Sequence, residues 1–195
     1  MVRSPKFMLF SSKKNEAKKL AALLQLGPGS VVADVGSGKG EYAVTLAGVV
    51  GQNGTVYAVE ADKERLSLIG KKVSALQLAN IKTIQSSDIS VNLPPLTCDA
   101  IFLRGAYHHL NHPEEILASI SASLKAGGRL AIIDFPPRFF LSLFFPVKNV
   151  SKNRGGHGVP KEIVIKEVTR VGLQLEEKID KWMPGRYCLL FQKQK

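Results

Sequence analysis

Asp34-Val35-Gly36-Ser37-Gly38-Lys39-Gly40 sets three glycines just behind an acid. Glycines in such a run let the backbone turn tightly and let a ligand approach it closely. The spacing argues against two common phosphate loops. A GxGxxG/A loop needs a small residue at position 41 so that helix can pack on strand, and position 41 is Glu. The run GxxxxGK followed by Ser or Thr is absent. Asp34 repels a phosphate and favours an ammonium or a sulfonium. Glu60 follows Gly40 by 20 residues and can accept hydrogen bonds from two ribose hydroxyls. Asp88 can accept from an adenine amino group, although Ser-Ser-Asp also makes an ordinary turn. Three acids at three strand ends fit one ligand lying across a sheet edge.

Imidazoles form a second group. His108 and His112 are four residues apart, but Pro113 puts them ahead of a helix rather than on one. No cysteine or carboxylate completes a first shell nearby, so no metal is expected. If a substrate must lose a proton, His108, His109 and His157 are the candidate bases. The alternative is that His109 packs and His108 is solvated.

These residues need elements to position them. Short runs at 30–35, 55–60, 81–85, 98–103 and 129–135 read as strands, the β-branched first of them buried. Helical spacing covers 15–26, 40–50 and 160–171. Asp62 caps a further helix with Leu66, Ile69, Val73 and Leu76 on its apolar face. Pro113 opens another, which Gly127-Gly128 closes. Residues 1–12 read as irregular and 86–97 as holding no full helix. Residues 174–179 and 186–191 should pair as a hairpin across a turn at 180–185. Strands alternating with amphipathic helices make a largely parallel sheet covered on both faces.

The chain has 195 residues, 45% of them apolar, which fits one domain spanning 1–195. Within it, 1–28 forms a basic segment and helix, and 135–158 reads as a lid or substrate insertion. Five of the nine phenylalanines fall between 135 and 145, flanked by Arg138, Lys148, Lys152 and Arg154. A core insertion and a membrane-surface contact are the other readings of that segment. The formal charge of +11 favours anionic partners, nucleic acid among them. Two lone cysteines, no signal-peptide pattern and no membrane-length apolar run point to the cytoplasm.

Five segments in order carry a family likeness: VVADVGSGKG, VYAVEAD, SSDI, DAIFLRGAYHHL and LKAGGRLAIID. From about Leu20 onward the chain resembles class I, Rossmann-like S-adenosylmethionine-dependent methyltransferases. In pattern it is similar to the small-molecule group that includes ubiquinone and menaquinone biosynthesis methyltransferases. The resemblance implies an α/β fold with a seven-stranded sheet in the order 3-2-1-4-5-7-6. Strand 7 is antiparallel, and helices cover both faces. It implies S-adenosylmethionine as cofactor, held by Asp34, Gly36, Ser37, Gly38, Gly40, Glu60, Ala61, Asp88, Ile89 and Arg104. Arg104 either reaches the carboxylate of the methionine end or contributes backbone alone.

The chain departs from neighbouring groups in two places. The Asn/Asp-Pro-Pro-aromatic run of enzymes acting on base or glutamine amino groups is replaced by Arg104-Gly105-Ala106-Tyr107. Two cysteines do not match arsenite methyltransferases. The expected acceptor is a small, partly apolar or acidic metabolite, methylated by direct displacement. An RNA methyltransferase and a non-catalytic S-adenosylmethionine-binding protein are the alternatives.

Overall fold

The computed structural model describes residues 5–137 and 158–195. The chain forms two compact units, Met1–Gln85 and Ser86–Lys195. The seven strands run in the order β3-β2-β1-β4-β5-β7-β6, as the resemblance implies.

The first unit is built from α1 (Pro5–Leu23), β1 (Val31–Val35), α2 (Glu41–Val50), β2 (Thr55–Glu60), α3 (Lys63–Ala75) and β3 (Ile81–Gln85). β2 lies between β1 and β3, parallel to both. The register pairs Val35 with Val59 and Glu60 with Gln85, so the three strands end at one level. α1 begins at Pro5 and corrects the irregular segment expected there. Proline suits a first helical position because the N–H it lacks would have no partner there. No further proline or glycine interrupts the chain before Gly27. Ala17, Leu20, Ala21 and Leu24 are buried, and Tyr42 of α2 donates its hydroxyl to the Glu16 carboxylate.

Asp62 caps α3 as its sequence position predicts, accepting from Glu64 N and Arg65 N at 2.9 and 3.0 Å. The apolar face of α3 is narrower than its spacing implies. Ile69 is the one fully buried residue of the helix, and Leu76 stays half exposed. A methyl group on Gly40 would sit 3.2 Å from Ile69, so that glycine lets α3 close in.

Gly54 is held more tightly. An added Cβ would lie 2.5 Å from Val50 Cβ, 2.6 Å from Val50 O and 2.7 Å from Ser30 O. None of these atoms is the end of a flexible side chain. Gly54→Ala should therefore destabilise the protein by about 1–3 kcal/mol. Gly48→Ala, in open space within α2, should gain about 0.5–1 kcal/mol instead. Denaturation midpoints of the two variants check the pair; equal shifts would contradict it.

The second unit holds β4 (Cys98–Arg104), a one-turn 3-10 helix (Tyr107–His109), α4 (Pro113–Ser123), β5 (Leu124–Asp134), α5 (Lys161–Arg170), β6 (Leu173–Met183) and β7 (Arg186–Lys193). β5 is parallel to β4, and β7 runs antiparallel between β5 and β6. Two boundaries differ from those the pattern predicts. α4 stops at Ser123, and Gly127-Gly128 lies within the start of β5. There the register jumps from Cys98↔Leu124 to Ala100↔Arg129, and Gly127 takes φ 74° to absorb the extra residues. The hairpin turn shrinks to Pro184-Gly185, with Gly185 at φ 70°, because β6 continues to Met183.

Cys98 and Cys188 are both buried, and neither is in a disulfide. Burial, aided by the neighbouring Asp99 charge, pushes the Cys98 thiol up to about 12, so it stays protonated and unreactive. Among the described residues, no helix is long and apolar enough to cross a membrane.

Candidate functional site

In the first unit, β1 runs into a loop that only glycines can follow easily. Gly36, Gly38 and Gly40 have φ of 79°, 56° and 66°. Gly36 N and Ser37 N donate to Val59 O at 2.9 and 3.0 Å, which ties the loop to the end of β2. Gly38 N donates to Glu60 Oε2 at 2.8 Å. The other oxygen of Glu60 accepts from Ala61 N at 3.1 Å and Asp62 N at 3.3 Å.

Glu60 is thus buried and holds the glycine loop, which its sequence position does not reveal. A carboxylate offers about four acceptor sites, so three N–H donors leave it able to take more. Asp34 is also buried, and Ser37 Oγ donates to its carbonyl at 2.9 Å. Gly36 stays exposed and Gly38 half-buried, so a ligand can reach the loop backbone. Acceptors of this kind suit a ligand bringing a cation and hydroxyl donors.

The remaining expected residues belong to the second unit. The turn after β3 is made by Ser87, whose hydroxyl accepts from Ser90 N at 3.1 Å and Ile89 N at 3.4 Å. The serine therefore does the work that could have fallen to the Asp88 carboxylate. Asp88 and Ile89 are both exposed, the latter an apolar side chain in water. Arg104 ends β4, half-buried, and Gly105 behind it has φ 63°.

The histidines are arranged opposite to the packing alternative. His108 is 5% exposed, while His109 is exposed. The cause is Asp134, fully buried at the end of β5. His108 Nδ1 lies 2.9 and 3.0 Å from its two oxygens, and His108 N donates to Oδ2 at 3.2 Å. Phe135 N donates to Oδ1 at 2.9 Å. An ionised carboxylate only accepts, so Nδ1 carries the proton and Nε2 is left as an acceptor. The His108 ring packs against His109 at 3.9 Å and Phe135 at 4.8 Å between centroids. Sequence order hides this dyad because its members are 26 residues apart. An acid ending the strand beside β4 is the one signal that points to it.

His112 is exposed, 3.8 Å from Glu115. Among the described residues no group of side chains could hold a metal. His157 and most of the 135–158 segment lie outside the described residues. Its two ends are described and meet: Val159 N donates to Phe135 O at 3.0 Å. Beside them a cavity of about 790 Å³ opens in the second unit. Pro136 and Pro137 line it together with the β6–β7 turn, and no local pattern in that turn signals a cavity wall.

The profile of the methyltransferase domain family matches residues 33–132. A Sulfurisphaera tokodaii protein named "Probable cobalt-precorrin-6B C(15)-methyltransferase (decarboxylating)" is 36% identical over 121 residues, covering 61% of this chain and 61% of its own. A demethylmenaquinone methyltransferase of Bacillus mycoides is 24% identical over 125 residues, covering 64% of this chain and 53% of its own. The chain thus aligns with just over half of each curated relative's length. The crystal structure of a SAM-dependent methyltransferase from Aquifex aeolicus shares the fold, with a TM-score of 0.76 and 24% identity. That match covers 90% of this chain and 88% of the other.

Proposed function

Because the chain belongs to the methyltransferase domain family, we propose that it methylates a small, partly apolar or acidic metabolite, using S-adenosylmethionine. The observation that carries the reading is the buried Glu60 carboxylate bonded to Gly38 N within a loop of left-handed glycines. Bound there, the cofactor supplies an electrophilic methyl group on a sulfonium.

The chain's residues have the following roles. Asp34 and the exposed Gly36 backbone receive the cationic methionine end, with Ser37, Gly38 and Gly40 holding the loop in shape. Glu60 receives the ribose hydroxyls beside Ala61. Asp88 accepts from the adenine amino group, and the exposed Ile89 covers the base. Arg104 closes the methionine end. His108, oriented by Asp134, takes the acceptor's proton at Nε2. Alignment of nucleophile, methyl carbon and sulfur in a dry site supplies most of the remaining rate.

The test is a metabolite-extract assay with methyl-labelled cofactor. Label should appear in a small molecule. Label in RNA would replace this reading with that of a nucleic-acid enzyme. Tight binding of S-adenosylhomocysteine with no labelled product would make the chain a binding protein. The two buried thiols fit a cytoplasmic setting.

A further inference from the structure

We infer that Tyr107 and Glu167 are positioning residues for His108: their hydrogen bond is a second anchor, beside Asp134, for the turn that carries the base. This rests on the methyltransferase reading above, in which His108 takes the acceptor's proton. His108 sits in a single 3-10 turn, Tyr107–His109. The bonds within that turn are His109 N to Ala106 O and Leu110 N to Tyr107 O, both at 3.1 Å. One turn fixes several dihedral angles for very few hydrogen bonds, so it depends on anchors elsewhere. Gly105 N donates to Ile133 O at 2.7 Å just ahead of it. Asp134 holds His108 itself, through N and Nδ1. Tyr107 is fully buried, and its hydroxyl donates to Glu167 Oε2 at 2.6 Å. That length belongs to the stronger bonds a hydroxyl makes to a carboxylate.

Glu167 is 60 residues from Tyr107 and lies on α5, which is itself fixed in place. Val164 and Val168 bury one face of the helix. Just ahead of α5, Val159 donates its N–H to Phe135 O at 3.0 Å and accepts from the Tyr187 hydroxyl at 2.8 Å. Phe135 in turn donates its N–H to Asp134 and packs its ring 4.8 Å from that of His108. The contacts close a circuit. It runs from His108 to Asp134 and Phe135, through Val159 into α5, and through Glu167 and Tyr107 back to His108. The two anchors do different things. Asp134 orients the ring and sets its tautomer, whereas Tyr107 fixes the backbone from which the ring springs. A base must lie within hydrogen-bond reach of the proton it takes, so the second matters to the reaction as well as the first.

The experiment uses nitrogen-15 NMR on the full chain and follows exchange of the His108 Nδ1 proton with water, beside the amide protons of β5. The β5 amides report loss of overall stability, and the Nδ1 proton reports opening of the turn. Tyr107→Phe keeps the ring and removes the hydroxyl, and Glu167→Ala removes its partner. Each should speed Nδ1 exchange about tenfold or more beyond any change in the β5 amides, as loss of a hydrogen bond to a charged group implies. The double variant should exchange no faster than the faster single one. Glu167→Gln keeps an acceptor for the hydroxyl and should restore most of the protection. If Tyr107→Phe fails to fold, Glu167→Ala carries the test, because Glu167 is only half-buried. Nδ1 exchange that moves only with the β5 amides would make the bond ordinary packing and overturn the inference. An Nδ1 proton without protection in the unaltered protein would overturn it too. The readout needs no acceptor, so it separates the two readings. The expected exchange pattern in a protein that transfers no label sinks the methyltransferase proposal and leaves the pair as anchors of His108. An unmoved Nδ1 proton in a protein that does transfer label sinks only the positioning pair.

Discussion

His108→Gln should lower kcat by about 10²- to 10⁴-fold, the range a positioned general base contributes. Its affinity for S-adenosylhomocysteine should stay within about twofold of the original, a ratio worth under about 0.5 kcal/mol. The side chain is buried, and its Nδ1–H is aimed between the two oxygens of Asp134. That bond fixes the tautomer and leaves Nε2 to accept. Glutamine keeps a hydrogen-bonding head of similar size but cannot take a proton at neutral pH.

A role in bracing alone is separated from a role in proton transfer by kcat against pH. A pH dependence of kcat that the unaltered enzyme shows and His108→Gln lacks marks proton transfer at this ring, whereas profiles of one shape leave His108 a brace. The groups facing His108 are Asp134, His109 and Phe135. Asp134→Asn is the less clean test. Asp134 accepts from His108 N, His108 Nδ1 and Phe135 N, and an amide would turn an N–H against one of them. A cost of about 1–3 kcal/mol in stability should accompany its loss of rate. Retention of a third or more of kcat in His108→Gln, measured with the acceptor found by label transfer, would remove His108 from the chemistry.

Glu60→Ala should weaken binding of S-adenosylhomocysteine by about 30- to 150-fold. Hydrogen bonds to a charged acceptor contribute up to about 3 kcal/mol, and 1.4 kcal/mol is tenfold. Two losses coincide in this variant. The ribose hydroxyls lose their acceptor, and Gly38 N loses the partner that sets the loop. Glu60→Gln keeps an acceptor for Gly38 N and should lose less.

Gly38→Val probes the loop without touching the acid. A Cβ at Gly38 meets only Gly36 O at 4.0 Å, so space is not the obstacle. The obstacle is φ 56°, which a β-branched residue adopts at a cost of about 1–3 kcal/mol. Affinity should fall about tenfold, a loss of 1.4 kcal/mol. Asp34→Ala should weaken binding as well, by removing the partner of the ammonium. Calorimetric titration of each variant, beside a melting curve, separates lost binding from lost folding. A protein that binds NAD and ignores S-adenosylhomocysteine would end the cofactor assignment.

What the sequence determined by itself was whatever depends on near neighbours. Short apolar runs place β1, β2 and β4 within a residue or so, because such side chains fit a buried pleat wherever it falls, while β3 lies where its run predicts although most of its residues are not buried. Asp62 caps α3 because an N-cap needs only the two or three N–H groups that follow it. The glycines behind Asp34 announce a ligand loop because left-handed φ is a property of single residues.

What tertiary structure decided was the choice of partner. His108 is buried and His109 exposed because Asp134, a strand away, binds the first. Glu60 reaches Gly38 across the β1–β2 pair, so an acid legible as a ligand contact is also a brace for the loop. β5 starts at Leu124 because β4 offers it a ladder there despite two glycines. The cavity beside Arg186 exists because β7 returns antiparallel against β5 and sets the β6–β7 turn next to Phe135. Each of these outcomes pairs residues distant in the chain. Local preference cannot encode such pairings, because the side chain that wins a buried partner is chosen by which segments pack together.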